Sequence, residues 1–177
     1  MICADIHYKI KNPSQMSPMN VREQVHQEIK KFKKLFQVGC GSGSISIDFL
    51  LNGGSQASLL DRDYDTCLVS KNNLNYNNVT ADIYNLVVEE YVKFIHDTFD
   101  AIVVTTAWIK STEMISLIDQ CLEVNGVIIM VIREDVANTN SLSCVKEMIK
   151  RCDVSVLTPI ISATDNMTRL IFKGIKK

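Results

Sequence analysis

Val38-Gly39-Cys40-Gly41-Ser42-Gly43-Ser44 carries a glycine at every second position, directly after the apolar run 35–38 and directly before the apolar helical pattern of residues 45–51. Strand, glycine turn and helix in that order form the opening unit of a doubly wound α/β fold. Backbone has to approach a ligand closely there. Glycine reaches dihedrals closed to other residues and has no side chain to block contact, while the helix that follows offers amide donors. Such a turn lies at the carboxyl edge of the sheet, where ligands of open α/β sheets bind.

Outward from this turn, short β-rich runs alternate with helical patterns, which predicts parallel strands joined by crossover helices. Strands are predicted at residues 35–38, 57–60, 79–82, 101–105, 127–132, 154–160 and 169–173, and helices near 45–51, 64–75, 87–95, 112–122 and 141–152. In the last helix Leu142, Val145, Ile149 and Cys152 make one stripe expected to face the core. No helix separates the final two strands. Their short polar connection, 162–168, predicts an antiparallel pair at the edge of a seven-stranded, mostly parallel, Rossmann-like sheet. Ahead of the glycine turn, Val21, Val25, Ile29 and Phe32 recur at helical spacing, and residues 9–19, with Pro13 and Pro18, read as an irregular arm. One domain over 1–177 is expected, with an N-terminal arm and helix over about 1–33.

The length of 177 residues suits one such domain, and 46% hydrophobic with 22% charged residues is an ordinary globular composition. No apolar run approaches the ~20 residues of a bilayer span, and the N-terminal residues do not form a secretion signal, so a cytoplasmic protein without membrane contact is expected. Six cysteines (Cys3, Cys40, Cys67, Cys121, Cys144, Cys152) are scattered singly and three histidines (His7, His26, His96) lie far apart, so no metal site is expected. A net charge of −1 argues against a nucleic-acid partner. Lys30, Lys31, Lys33 and Lys34 form one basic run at a helix end, where lysine also complements the helix dipole.

The spacing G-x-G-x-G differs from the G-x-G-x-x-G of dinucleotide enzymes, whose helix end receives a pyrophosphate. It fits S-adenosylmethionine, which has no phosphate, with Gly39, Cys40, Gly41, Ser42, Gly43 and Ser44 against the cofactor. Leu59-Leu60-Asp61 ends the second strand with an acid that can accept both ribose hydroxyls, although an aspartate there can also cap a helix; Asp63 is the expected cap of the helix from Tyr64. Asn85 follows the third strand and can accept a hydrogen bond from the adenine amino group, or stand as an ordinary loop asparagine. No nucleophilic triad is visible, and no catalytic residue is assigned.

The chain resembles the cobalt-precorrin and precorrin methyltransferases that methylate carbon 15 and decarboxylate the carbon 12 acetate in corrin-ring synthesis. The likeness is carried by Ile10-Lys11-Asn12-Pro13-Ser14, Met19-Asn20-Val21-Arg22, the Gly39 to Ser46 turn, Asp61-Arg62-Asp63 and Asn77-Asn78-Val79-Thr80. It implies a class I methyltransferase fold, Arg62 beside the cofactor, a homo-oligomer, and a nucleophilic ring carbon attacking the sulfonium methyl while the acetate leaves as carbon dioxide. A carboxylate-rich tetrapyrrole calls for arginines. Arg22, Arg133 and Arg169 are the candidates, with Trp108 able to stack on the macrocycle and Thr106 in the fourth-strand loop where substrate meets the methyl group. The sequence departs from the family at Gln37, where an acid is usual, and at Thr105-Thr106-Ala107-Trp108, where glycines are usual. Two other readings stay open. One is a methyltransferase acting on RNA or protein, to which the lysine run points; the other is a catalytically silent cofactor-binding module, to which Gln37 points.

Overall fold

The computed structural model describes residues 18–105, 108–137, 139–161 and 166–177. The expected arm lies almost wholly outside them, as do Thr106 and most of the last connection. The elements run α1 (Met19–Ile29), β1 (Lys34–Val38), α2 (Ser44–Leu51), β2 (Gln56–Leu60), α3 (Tyr64–Tyr76), β3 (Asp82–Tyr84), α4 (Val88–Phe94), β4 (Phe99–Val104), α5 (Ser111–Ser116), β5 (Leu122–Arg133), α6 (Thr139–Arg151), β6 (Cys152–Val156), β7 (Ile160–Ile161) and β8 (Thr168–Lys176).

Strand order is β3-β2-β1-β4-β5-β8-β6, with the two-residue β7 paired to β8. The β1–β2, β1–β4, β2–β3 and β4–β5 pairs are parallel; β8 is antiparallel to both β5 and β6, which forms the expected antiparallel pair at this edge. The order reverses between β1 and β4, and the glycine turn lies at that crossing.

Alternation along each strand sends side chains to two cores. Phe36, Val38, Ile102, Val104, Ile128 and Met130 face α4, α5 and α6, where Phe36 stacks between Tyr91 and Phe99 at 4.5 and 4.9 Å between ring centroids. Leu35, Ala101, Val103, Val127 and Ile129 face α1 and α2, whose Val21, Val25, Ile29, Ile45, Ile47 and Phe49 complete the second core. The same alternation turns Gln37 toward α2.

Several boundaries differ from the sequence reading, each for a local reason. At residues 79–82 the chain is still leaving α3, because Val79 donates its N–H to the Leu74 carbonyl after Asn78 takes φ 56°, so β3 begins only at Asp82. The 112–122 helix stops at Ser116 and widens into one π-helical turn, Leu117–Cys121, that feeds directly into β5. The strand expected over 154–160 is two pieces, β6 and β7. In α6 the buried face is Ser141, Cys144, Val145 and Met148, whereas Leu142 and Ile149 are 60% and 56% exposed. That rotation is set by the Ile109 carbonyl, which accepts from Asn140 Nδ2 and Cys144 Sγ. Among the described residues no helix is long and apolar enough to cross a membrane.

Candidate functional site

The glycine turn has the backbone that its sequence demands. Gly39, Gly41 and Gly43 take φ values of 77°, 55° and 76°, the left-handed region that glycine alone enters without strain. A Cβ on Gly43 would also press on Ser70 Oγ at 3.3 Å and Leu59 at 3.4 Å. Both ends of the turn are fixed. Gly39 and Cys40 donate their amides to the Leu60 carbonyl at 2.8 and 3.2 Å, and α3 clamps the far side through Ser70 Oγ to the Gly41 carbonyl at 2.8 Å and Asn73 Nδ2 to the Ser42 carbonyl at 2.9 Å. Cys40, Ser42 and Ser44 are buried, and the Ser42 hydroxyl has no hydrogen-bond partner among the described residues.

Gln37, 2% exposed, is a third clamp. Its Nε2 donates to the Cys40 carbonyl at 3.1 Å, and its Oε1 accepts from Ser46 N and Oγ at 3.2 and 2.7 Å. An ionised acid here could take the two Ser46 bonds but could not donate to the carbonyl. The amide therefore ties the turn to α2 with donor and acceptor both used.

Asp61 stands at the end of β2, where its Oδ1 accepts the Asp63 N–H at 3.1 Å, which fixes the carboxylate's orientation. Asp63 caps α3 by accepting the Thr66 N–H at 2.7 Å, and this bond holds its carboxyl below the usual range. Asn85 does not line the cleft that Asp61 faces. It donates its Nδ2 to the Asp61 backbone carbonyl at 3.1 Å and borders a groove on the far side of that strand end.

The cleft runs from Val38 and Gly39 past Asp61 and Arg62 to Leu86, Val88 and Glu89. Trp108, Ile109, Lys110 and Glu113 close its other side. Trp108 is 70% exposed and lies over the Arg62 guanidinium, 5.7 Å from ring centroid to carbon. At the apolar end sit three charged groups. Lys110 Nζ meets Glu89 at 3.1 Å, and Glu113, 7% exposed, accepts the Lys110 N–H at 2.7 Å. Burial pushes the Glu113 carboxyl up, while neighbouring Glu113 and Lys110 hold Glu89 down.

Of the expected substrate residues Trp108 lines this cleft, Arg22, Arg133 and Arg169 do not, and Thr106 lies outside the described residues. Arg22 is 4% exposed and bonds Asp48 at 3.1 Å across the α1–α2 contact, and burial pushes Asp48 up to about 7. Arg133 ends β5 opposite Arg169 of β8 and holds Asp135 in a two-bond pair at 3.0 and 2.6 Å. Arg169 is 6% exposed and donates to the Met167 carbonyl at 2.9 Å. Among the described residues no group of three or more His, Cys, Asp or Glu could hold a metal. Sequence reading missed Ser70, Asn73, Lys110 and Glu113. Ser70 and Asn73 had a signal, being polar one turn apart on the face of α3 that also carries buried Cys67 and Leu74.

Left-handed glycines at the reversal of strand order and an acid ending β2 frame the cleft as in the Rossmann-like fold of class I methyltransferases. Residues 19–135 match the family model of the ribosomal protein L11 methyltransferase, PrmA, and the chain belongs to that family. No curated protein sequence matches it. Solved structures with the same fold include a precorrin 8W decarboxylase of Methanobacterium thermoautotrophicum (TM-score 0.72, 19% identity, 94% of this chain and 96% of that one). A precorrin-6y C5,15-methyltransferase of Geobacter metallireducens (0.75, 16%, 94% and 92%) and a ribosomal protein L11 methylase of Lactobacillus delbrueckii (0.65, 14%, 94% and 81%) share it also. The chain spans about half the length, 48% and 49%, of two further structures assigned as methyltransferases, one from Streptococcus mutans and one complexed with SAH.

Proposed function

We propose that this methyltransferase acts on a carboxylate-rich tetrapyrrole of the precorrin or cobalt-precorrin type, with loss of the acetate carboxylate as carbon dioxide. The observation that carries the reading is the arginine pair. Arg133 and Arg169 face each other across one rung of the β5–β8 ladder, at the same carboxyl edge of the sheet as the glycine turn. Asp135 holds the half-exposed Arg133 guanidinium in place beside the buried Arg169, which suits recognition of a peripheral carboxylate by a planar donor. The near-equal lengths of this chain and the precorrin enzymes it resembles add support.

S-adenosylmethionine supplies an electrophilic methyl group on a positively charged sulfur. In this reading Gly39, Cys40, Gly41, Ser42, Gly43 and Ser44 receive its methionine half, and Asp61 accepts from the ribose. Leu86, Val88 and Ile109 wall the base, with Arg62 and Trp108 over it and the Glu89–Lys110–Glu113 group at its edge. Asn85 acts through Asp61 by holding its backbone. These residues bind, align and exclude water; orientation in such a site contributes several kcal/mol to lowering the barrier.

A protein substrate is the second reading, favoured by the family match over residues 19–135. Labelled S-adenosylmethionine, offered with a precorrin in one reaction and with ribosomal protein L11 in another, separates the two. Label entering the macrocycle, lost in Arg133→Ala, supports the tetrapyrrole. Label entering only the protein refutes it. A symmetric homo-oligomer accompanies the first reading, and light scattering that gives a strict monomer counts against it.

A further inference from the structure

Gly39 is pinned from both sides of β1. Its N–H donates to the Leu60 carbonyl at the end of β2 at 2.8 Å, and its carbonyl accepts from the hydroxyl of Thr105, the residue after β4, at 2.6 Å. Thr105 is itself fixed, because its backbone N–H donates to the Val38 carbonyl at 3.0 Å and so extends the β1–β4 ladder by one residue. The peptide after Gly39 needs such a holder. At φ 77° and without a side chain, the residue has no packing of its own to set that peptide plane, and its carbonyl lies at the wall of the cleft, where water competes for it. The same device recurs along the turn, where the carbonyls of Cys40, Gly41 and Ser42 accept from Gln37, Ser70 and Asn73. Gln37 comes from β1, and Ser70 and Asn73 come from α3. Thr105 alone of these four donors belongs to the segment that goes on to form the opposite wall of the cleft, where Trp108, Ile109 and Lys110 follow it in the chain.

We propose that Thr105 is a positioning residue of the cleft: its hydroxyl sets the Gly39 peptide for cofactor binding and ties the glycine turn to the loop that carries Trp108. The effect on binding rests on the assignment of S-adenosylmethionine to this cleft. Gly39 lines one side and Trp108 the other, whereas Thr105 is not among the lining residues, so it acts through both walls and touches no ligand. From the Gly39 carbonyl to Trp108 the path is one hydrogen bond and three residues of chain, so a displacement of either wall passes to the other. Only the hydroxyl does this. Valine matches threonine in outline but has no donor and leaves the carbonyl unpaired, while serine keeps the donor and gives up only a methyl group. Thr105 and Gln37, both at places where the sequence departs from the enzymes it resembles, thus hold consecutive carbonyls of the turn.

The test compares the whole unchanged chain with Thr105→Val, Thr105→Ala and Thr105→Ser. By calorimetry Thr105→Val and Thr105→Ala are expected to bind S-adenosylhomocysteine about tenfold more weakly, and Thr105→Ser within about twofold of the unchanged protein. Trp108 is the chain's one tryptophan, so its emission reports on the loop alone. Without ligand, the fast component of its anisotropy decay is expected to grow in Thr105→Val and to return to the unchanged value in Thr105→Ser. A folded Thr105→Val that binds as tightly as the unchanged protein overturns the proposal, and so does a Thr105→Ser that binds as weakly as Thr105→Val. Equal anisotropy decays in Thr105→Val and the unchanged protein overturn the tie to the loop. If Thr105→Val and Thr105→Ala both fail to fold, the hydroxyl serves the fold and the positioning role is overturned. Failure of the unchanged protein to bind S-adenosylhomocysteine refutes instead the cofactor assignment, and the anisotropy still decides whether the hydroxyl holds the loop.

Discussion

Replacing Gln37 by glutamate restores the acid usual at this place in the resembling enzymes, yet here it should weaken the fold. Gln37 is buried, and its amide uses both ends, donating to the Cys40 carbonyl at 3.1 Å and accepting twice from Ser46. A carboxylate keeps the two acceptor bonds and turns its other oxygen on the Cys40 carbonyl. Loss of the donor with the carbonyl left buried costs about 2 kcal/mol, which lowers the melting midpoint of a chain of this size by roughly 4–8 °C. A protonated glutamic acid can donate to that carbonyl, so the native state raises the pKa of the new side chain. The contribution of this group is then present below the unfolded value and is lost as pH rises through the folded one. Thermal unfolding of Gln37→Glu and the unchanged protein at pH 4 and pH 8 measures this. The difference should be small at the lower pH and full at the higher. Equal midpoints at pH 8 would refute the argument that the Nε2 bond holds the turn.

Asp61→Ala should weaken S-adenosylhomocysteine binding by about 1.5–3 kcal/mol, since hydrogen bonds to a charged acceptor are lost; an unchanged calorimetric affinity removes Asp61 from the site. Arg22→Ala leaves Asp48 buried without its 3.1 Å partner and should cost about 3–5 kcal/mol in denaturant unfolding, whereas a loss under about 1 kcal/mol means that the pair contributes little. Burial raises the Glu113 carboxyl in the native state, so its contribution is present at acid pH and lost as pH rises through the folded value. Glu113→Gln keeps the bond from Lys110 N and removes that titration. Its melting midpoint relative to the unchanged protein should therefore rise between pH 5 and pH 8, and a difference independent of pH would refute the upward shift of Glu113.

The parallel core of the fold was legible because its signals are local. Strands with a run of apolar residues, a glycine turn and periodic helices declare themselves within a few residues, and so did Asp63, whose capping bond reaches only to Thr66. What escaped depends on distant partners. The face of α6 was misread because the carbonyl of Ile109, 31 residues from Asn140 and 35 from Cys144, sets its rotation. Trp108 lies over Arg62, more than forty residues away in the chain, a contact that no local pattern announces. Ser70 and Asn73 hold the turn from 29 and 31 residues off, and only their polarity on a buried helical face hinted at it.

The position of β8 has a consequence for the order in which the molecule can be made. Residues 168–176 are synthesised after β5 and β6, yet they lie between them, with seven residue pairs to β5 and five to β6. While a ribosome still holds that segment in its exit tunnel, β5 keeps an unsatisfied edge of apolar strand and β6 has nothing to pair with. Long-range strand insertion of this kind is slow and leaves an intermediate open to aggregation. The half that carries the glycine turn, β1 to β4, can assemble during translation, and the half that carries Arg133 and Arg169 closes only after the last strand emerges.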